Sequence, residues 1–175
     1  MILLVGGARS GKSATAVRLA AGAGVSVTFI ATAEPCDAEM AERIDRHRSQ
    51  RPPAWTTVEA PLELHSAVIS AQTGDYLVVD CLTLWVSNLL GCGRADTDVL
   101  AEARRIAEVL RQRAAVVVSN EVGLGIVPAN DLARLFGDTL GSVNAIFASA
   151  ASRTLLMVAG RALALSAVDE ALSAK

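Results

Sequence analysis

The chain alternates short apolar runs with longer amphipathic stretches. Met1-Ile2-Leu3-Leu4-Val5 reads as a first strand, and Val25 to Ala31, rich in β-branched residues, as a second. Trp55 to Glu59 is a short extended piece, Tyr76-Leu77-Val78-Val79-Asp80 a buried strand, and Ala114 to Ser119 another. Thr154 to Ala159 is the last clear strand, and the tail from Gly160 carries no assignable pattern. Between these runs the period changes to that of a helix. One helix runs from about Lys12 to Ala21, where Gly22-Ala23-Gly24 stops it. Asp37 can cap a second, running to about Gln50, with Met40, Ile44 and His47 on one face and Pro52-Pro53 ending it. Further helices span Leu62 to Gln72, Leu82 to Leu90, a cap at Thr97 or Asp96 to about Arg113, and Asp131 to about Ser152, the last weakened at Gly137 and Gly141. Asn120 to Asn130 is long for a connection in such a chain, which makes it a functional suspect.

Apolar strands alternating with amphipathic helices predict an α/β fold, a mostly parallel sheet with helices on both faces. The absence of repeats and linkers predicts a single nucleotide-binding domain over residues 1–175. Ligands of such sheets bind beyond the C-terminal ends of the strands. That rule gathers Gly6 to Ser13, Thr32 to Glu34, Asp80 and Asn120-Glu121.

The first of these groups is specific. Gly6-Gly7-Ala8-Arg9-Ser10-Gly11-Lys12-Ser13 fits the phosphate-cradling loop, between a strand and a helix as that loop requires. Its glycines let consecutive N–H groups turn toward phosphate oxygens. The helix that follows adds the positive end of its dipole. Lys12 is placed to reach the β- and γ-phosphates, and the Ser13 hydroxyl to ligate Mg²⁺.

The remaining groups admit two readings each. Asp80 ends an apolar strand, where a P-loop enzyme keeps an acid for Mg²⁺ or its water; an aspartate there also caps a following helix. Arg43, Arg46, Arg48 and Arg51 surround His47. Such a stretch suits a polyphosphate, and it equally suits a solvated helix face. Neutral imidazole is a competent nucleophile toward phosphorus once the phosphate charge is neutralised. Glu121 reads either as a general base or metal-shell residue, or as a cap of its own loop. Glu59 alone means little, and His65 lies in a plain amphipathic helix.

Composition removes several alternatives. Hydrophobic residues make up 52% of the 175 and charged residues 19%, so the chain is an ordinary globular one. A net charge of −2 and 3% aromatics argue against nucleic acid as a partner. Cys36, Cys81 and Cys92 lack metal-ligand spacing. The odd cysteine count and the lack of a signal peptide or membrane span point to a cytoplasmic protein.

Several stretches together resemble one family: MILLVGGARSGKS, FIATAEPCDAEMAERIDRHRSQRPPAWTTVEAPLEL, VVDCLTLWVSNLL and SNEVGLGIVPANDLARLFGD. In this order they resemble the bifunctional adenosylcobinamide kinase / adenosylcobinamide-phosphate guanylyltransferases of cobalamin biosynthesis, from Met1 to about Gly160. The P-loop alone is generic; the I-A-T turn, the R-x-x-R-P run after a histidine, W-x-T-x-E and N-E-V-G-x-G-I-V-P are specific. The resemblance implies a RecA-like P-loop domain and two reactions. A nucleoside triphosphate phosphorylates the hydroxyl of the aminopropanol arm of adenosylcobinamide, and GTP then donates GMP to that phosphate through a guanylylated histidine. The histidine that matches is His47. Nucleotide contacts are implied for the P-loop, for Thr32, Ala33 and Glu34, for Arg48, Ser49, Gln50 and Arg51, and for Glu59 and Asp80. Mg²⁺ as cofactor, ATP and GTP as substrates, adenosylcobinamide and its phosphate as partners, and a homotrimer follow from the same resemblance. Departures from the family pattern occur at Cys36 to Glu39, Gly137, Ser142 and Ala145, outside the nucleotide motifs.

Overall fold

A computed structural model describes residues 1–49 and 51–173. In chain order the elements are β1 (Ile2–Gly6), α1 (Lys12–Ala21), β2 (Val27–Ala31), α2 (Ala38–Ser49), β3 (Thr56–Glu59), α3 (Leu64–Ser70) and β4 (Tyr76–Asp80). They continue with α4 (Leu82–Gly91), α5 (Asp96–Arg111), β5 (Ala115–Asn120), α6 (Asp131–Ala150), β6 (Arg153–Val158), β7 (Arg161–Leu165) and α7 (Val168–Ser173).

The strands form one sheet in the order β3-β2-β4-β5-β1-β6-β7. All pairings are parallel except β6 with β7. The parallel strands therefore end on one edge, at Gly6, Ala31, Glu59, Asp80, Asn120 and Val158. Their apolar residues are buried on both faces, as parallel pairing under crossover helices demands. On one face Leu4, Val27, Phe29, Val78, Val116 and Val118 meet Ala16 and Ala20 of α1. On the other, α3, α4, α5 and α6 enclose Leu3, Val79 and Val117 with the fully buried Trp85 and Phe147.

The helix starts show which side chains set them. Asp37 Oδ1 accepts from the Met40 N–H at 2.7 Å, so Asp37 caps α2. Asn130 caps α6 in the same way through Ala133 N–H, also at 2.7 Å. At α5 the cap expected at Thr97 or Asp96 falls instead on Ala95, whose extended backbone precedes the first turn; Asp96 is already helical and accepts from the next N–H. Gly137 and Gly141 do not break α6. Its packing of Leu140, Val143 and Phe147 outweighs the weak propensity of two glycines.

The tail is a second correction. Thr154 to Ala159 is not the last strand: β7 folds back on β6 through Ala159 and Gly160, both at positive φ, 49° and 73°. Two such residues make the tight turn whose twist matches a hairpin. β7 has no buried residue, so it lacks the alternation that would have announced it.

Gly6 is required by close approach. A Cβ there would lie 2.2 Å from the Met157 carbonyl oxygen on β6. Gly6→Ala is expected to cost roughly 2 kcal/mol by forcing β1 and β6 apart at the P-loop entrance. Urea unfolding measures it; a loss under about 0.5 kcal/mol would show that β6 yields freely.

Candidate active site

The strand edge carries a cleft of about 670 Å³, a size ordinary for a small-molecule site. Ala8 to Ser13 of the P-loop form one side, and Asp80, Cys81, Val118 and Asn120 the base. The opposite wall is α2 and its exit, with Met40, Arg43, Ile44, His47, Arg48 and Arg51. α2 has no buried residue at all. Its apolar face therefore serves the cleft and not the core.

The P-loop conformation follows from its residues. Gly11 sits at φ 93° just before α1, and Arg9 takes φ 55°. Lys12 is buried, and its Nζ donates to the carbonyls of Gly6 at 2.8 Å and Gly7 at 2.7 Å. In the free protein the ammonium thus holds the loop closed on itself. Burial lowers its pKa first; Cys81 and Asp80 oppose this, and Arg43 adds to it. The β6–β7 turn braces the loop from behind, with the Gly160 N–H donating to Ser10 O at 3.1 Å.

Asp80 lies half-buried at the end of β4. Burial raises its pKa; the nearby Ser13 hydroxyl, then His47, Arg51 and Lys12, pull it back. A carboxyl kept costly by burial, with a hydroxyl close by, is a donor pair that a hard cation would relieve. No cluster of three or more His, Cys, Asp or Glu side chains occurs among the described residues.

Along α2, Arg43 and His47 are one turn apart on the face toward the cleft. Arg48 forms an ion pair with Glu59 at the end of β3. Both partners are more than half exposed, so the pair places the end of α2 more than it stabilises the fold. Arg51 lies 3.7 Å from the centre of the Phe29 ring, and its buried Nε has no partner. Burial lowers the Arg51 pKa, opposed by Asp80. Its guanidinium is thus held flat on an aromatic face with a donor unspent.

Of the residues named from the sequence, Ala8 to Ser13, Ala33, His47, Arg48, Arg51, Glu59 and Asp80 line this one cleft. Gly6, Gly7, Thr32, Glu34, Ser49 and Glu121 do not line it. Gly6 and Gly7 contribute carbonyls to Lys12. Thr32 is fully buried; its hydroxyl donates to Cys81 O at 2.7 Å and accepts from Cys81 N–H at 2.8 Å, tying β2 to β4. Glu34 falls between the lining residues Ala33 and Pro35 without lining the cleft itself. The Ser49 hydroxyl donates to Arg46 O at 2.9 Å. Gln50 lies outside the described residues. Glu121 turns back to accept from Gly123 N–H at 2.5 Å, capping its own loop.

Sequence reasoning assigned Asn120 to the strand edge but gave it no role. Its N–H donates to Thr83 Oγ1 at 2.7 Å and its carbonyl accepts from Asn144 Nδ2 at 3.0 Å, so both backbone groups are pinned while the residue lines the cleft. Leu84 was missed, because a leucine in an apolar helix carries no local signal. The bracing role of Gly160 was missed with its hairpin, although Ala159-Gly160 between apolar segments is a turn signal.

Known proteins are similar to this chain in sequence. The family model described as cobinamide kinase / cobinamide phosphate guanyltransferase matches residues 2–165. The chain belongs to this family. Within the cobinamide kinase / guanyltransferase family, it is 44% identical over 162 residues to the bifunctional adenosylcobalamin biosynthesis protein CobP of Pseudomonas aeruginosa, covering 90% of this chain and 92% of that one. It is 41% identical to CobU of Salmonella typhimurium and 39% to CobU of Escherichia coli, each over 91% of this chain and 96% of the relative. Solved structures of low identity support the fold alone. One from Pyrococcus horikoshii OT3 aligns with a TM-score of 0.55 at 6% identity, over 100% of this chain and 90% of that one. An ATPase of a type III secretion system aligns at 0.52 and 12%, over 89% of this chain and 50% of that one. The RecA-like P-loop class expected from the sequence is thereby met. No helix among the described residues is long and apolar enough to cross a membrane.

Proposed function

We propose that this single cleft performs both reactions of the family on adenosylcobinamide, with His47 as the covalent carrier of GMP. One observation supports it above the rest: His47 stands on the wall facing the P-loop, within electrostatic reach of Asp80. In the first step the acceptor hydroxyl oxygen of the aminopropanol arm bonds to the γ-phosphorus of a nucleoside triphosphate. The bond to the β–γ bridging oxygen breaks and the nucleoside diphosphate leaves. In the second, a ring nitrogen of neutral His47 bonds to the α-phosphorus of GTP. The α–β bridging bond breaks, and its electron pair leaves with pyrophosphate. The phosphate of adenosylcobinamide phosphate then displaces the histidine, which regains its neutral ring.

The roles divide by position. P-loop N–H groups and Lys12 hold the β- and γ-phosphates once the Lys12 contacts to Gly6 and Gly7 are exchanged for phosphate oxygens. Ser13 and Asp80 would hold Mg²⁺, which neutralises phosphate charge when bound. Arg51 and the Arg48–Glu59 pair border the nucleotide. One domain carries all of this, and a cytoplasmic location goes with ATP and GTP as substrates. Exposed Leu163, Leu165 and Leu172 on the C-terminal hairpin and α7 support self-association, and a trimer is what the family resemblance implies.

The test uses GTP labelled at the α-phosphate, incubated with protein and Mg²⁺ and then denatured. Label retained on the chain, released by acid and stable to alkali, is expected of a phosphorus–nitrogen bond. A folded protein that binds GTP and retains no label would sink the transferase half and leave a kinase.

A further inference from the structure

Four arginines flank His47, and the structure separates them. Arg46 lies outside the cleft. Arg48 is engaged by Glu59, and Arg51 by the Phe29 ring. Arg43 lines the cleft, yet forms no ion pair or hydrogen bond with any described residue. Asp45, the acid nearest in sequence that also faces the cleft, is not paired with it.

Its position along α2 is informative. Arg43 and His47 are four residues apart, hence neighbours on one helix face. Lys12 feels the charges of Asp80 and Arg43, and Asp80 those of His47, Arg51 and Lys12. Both residues line the cleft that Lys12, the lysine that takes the terminal phosphates, also lines. Arg43 and Lys12 are two like charges lining one cleft, with Asp80 beside Lys12. A bound polyphosphate is the ligand that would reconcile them, and a guanidinium offers it two parallel donors.

We propose that Arg43 clamps the β- and γ-phosphates of GTP and stabilises the pyrophosphate that departs when His47 attacks the α-phosphorus. This rests on the reading of His47 given above and adds to it the residue that bears the leaving-group charge. The α–β bridging oxygen gains negative charge as its bond breaks, so a fixed cation there acts more strongly in the transition state than before it. Arg43 is exposed, and its replacement disturbs no packing.

The experiment compares wild type with Arg43→Ala, Arg43→Lys and Arg46→Ala. It measures GTP and GMP affinity with Mg²⁺, and the rate of GMP transfer to the chain as a function of GTP concentration. Arg43→Ala should weaken GTP binding about 10–100-fold, the loss of a charge-assisted double contact, while GMP binding changes less than about 2-fold. The maximal transfer rate should fall further at saturating GTP, and lysine should recover part of it. Arg46→Ala should stay within about 2-fold of wild type, since it removes the same charge from outside the cleft. Equal losses for GTP and GMP would overturn the proposal, as would equal effects at positions 43 and 46, or no effect at 43. If wild type binds GTP but forms no adduct, the His47 reading fails; the GTP-against-GMP contrast still decides the clamp.

Discussion

His47→Ala is expected to lower GMP transfer to the chain by at least about 10³-fold, to background, while leaving the kinase step within about 10-fold of wild type. The asymmetry follows from where the groups stand. The proposed γ-phosphoryl step draws on the loop N–H groups, Lys12 and the Ser13–Asp80 pair, all on or beside the strand edge. His47 belongs to α2, across the cleft, and no other histidine lines it. The folded state should survive the change, since α2 buries nothing in the core. Added imidazole should restore part of GMP transfer to adenosylcobinamide phosphate, though not to the chain, by taking the GMP in the vacated volume, which a purely structural histidine would not allow. Measuring both half-reactions on one preparation checks this. Equal loss of both would mean that His47 shapes the nucleotide site and carries nothing.

The parts of this site that were legible in the sequence are those with local causes. A phosphate loop between strand and helix is written in consecutive residues, and Asp80 marks the end of an apolar run. Parallel strands put such ends on one edge, so much of the list of strand ends lines the cleft. What was illegible has non-local causes. Met40, Ile44 and His47 announce a helix face, but periodicity says nothing of what that face meets; here it is the cleft and not the core. Thr32 looks available in sequence, yet its hydroxyl is used up by Cys81, forty-nine positions away. Arg43, Arg46, Arg48 and Arg51 look alike until an acid, an aromatic ring and a lysine sort them. The β6–β7 turn braces Ser10 across the sheet edge, a contact that no pattern within the exposed tail encodes.

Asp80→Asn is expected to make the free protein more stable and the enzyme about 10²–10³-fold slower in both reactions. Burial raises the Asp80 pKa above its ordinary value, and Ser13, His47, Arg51 and Lys12 offset this only in part. A carboxyl whose pKa is higher folded than unfolded lends stability that is complete below the unfolded value, near 3.9 for a free aspartate. That stability is lost as pH rises through the folded value. Ionising Asp80 therefore costs the native protein stability. Asparagine keeps the shape and removes the charge. With that cost removed, the unfolding midpoint should rise by about 2–4 °C at pH 7. The difference from wild type should shrink toward acid, where Asp80 is itself neutral. Ligand reverses the order. Mg²⁺ with GTP should raise the wild-type midpoint clearly and that of Asp80→Asn little, because the neutral amide is a poor partner for a hard cation. Thermal unfolding at several pH values, with and without Mg²⁺–GTP, reads all of this. A variant less stable than wild type at pH 7 would mean that the surrounding groups outweigh burial, and that Asp80 is a structural counter-ion held by its neighbours and not a ligand held in waiting.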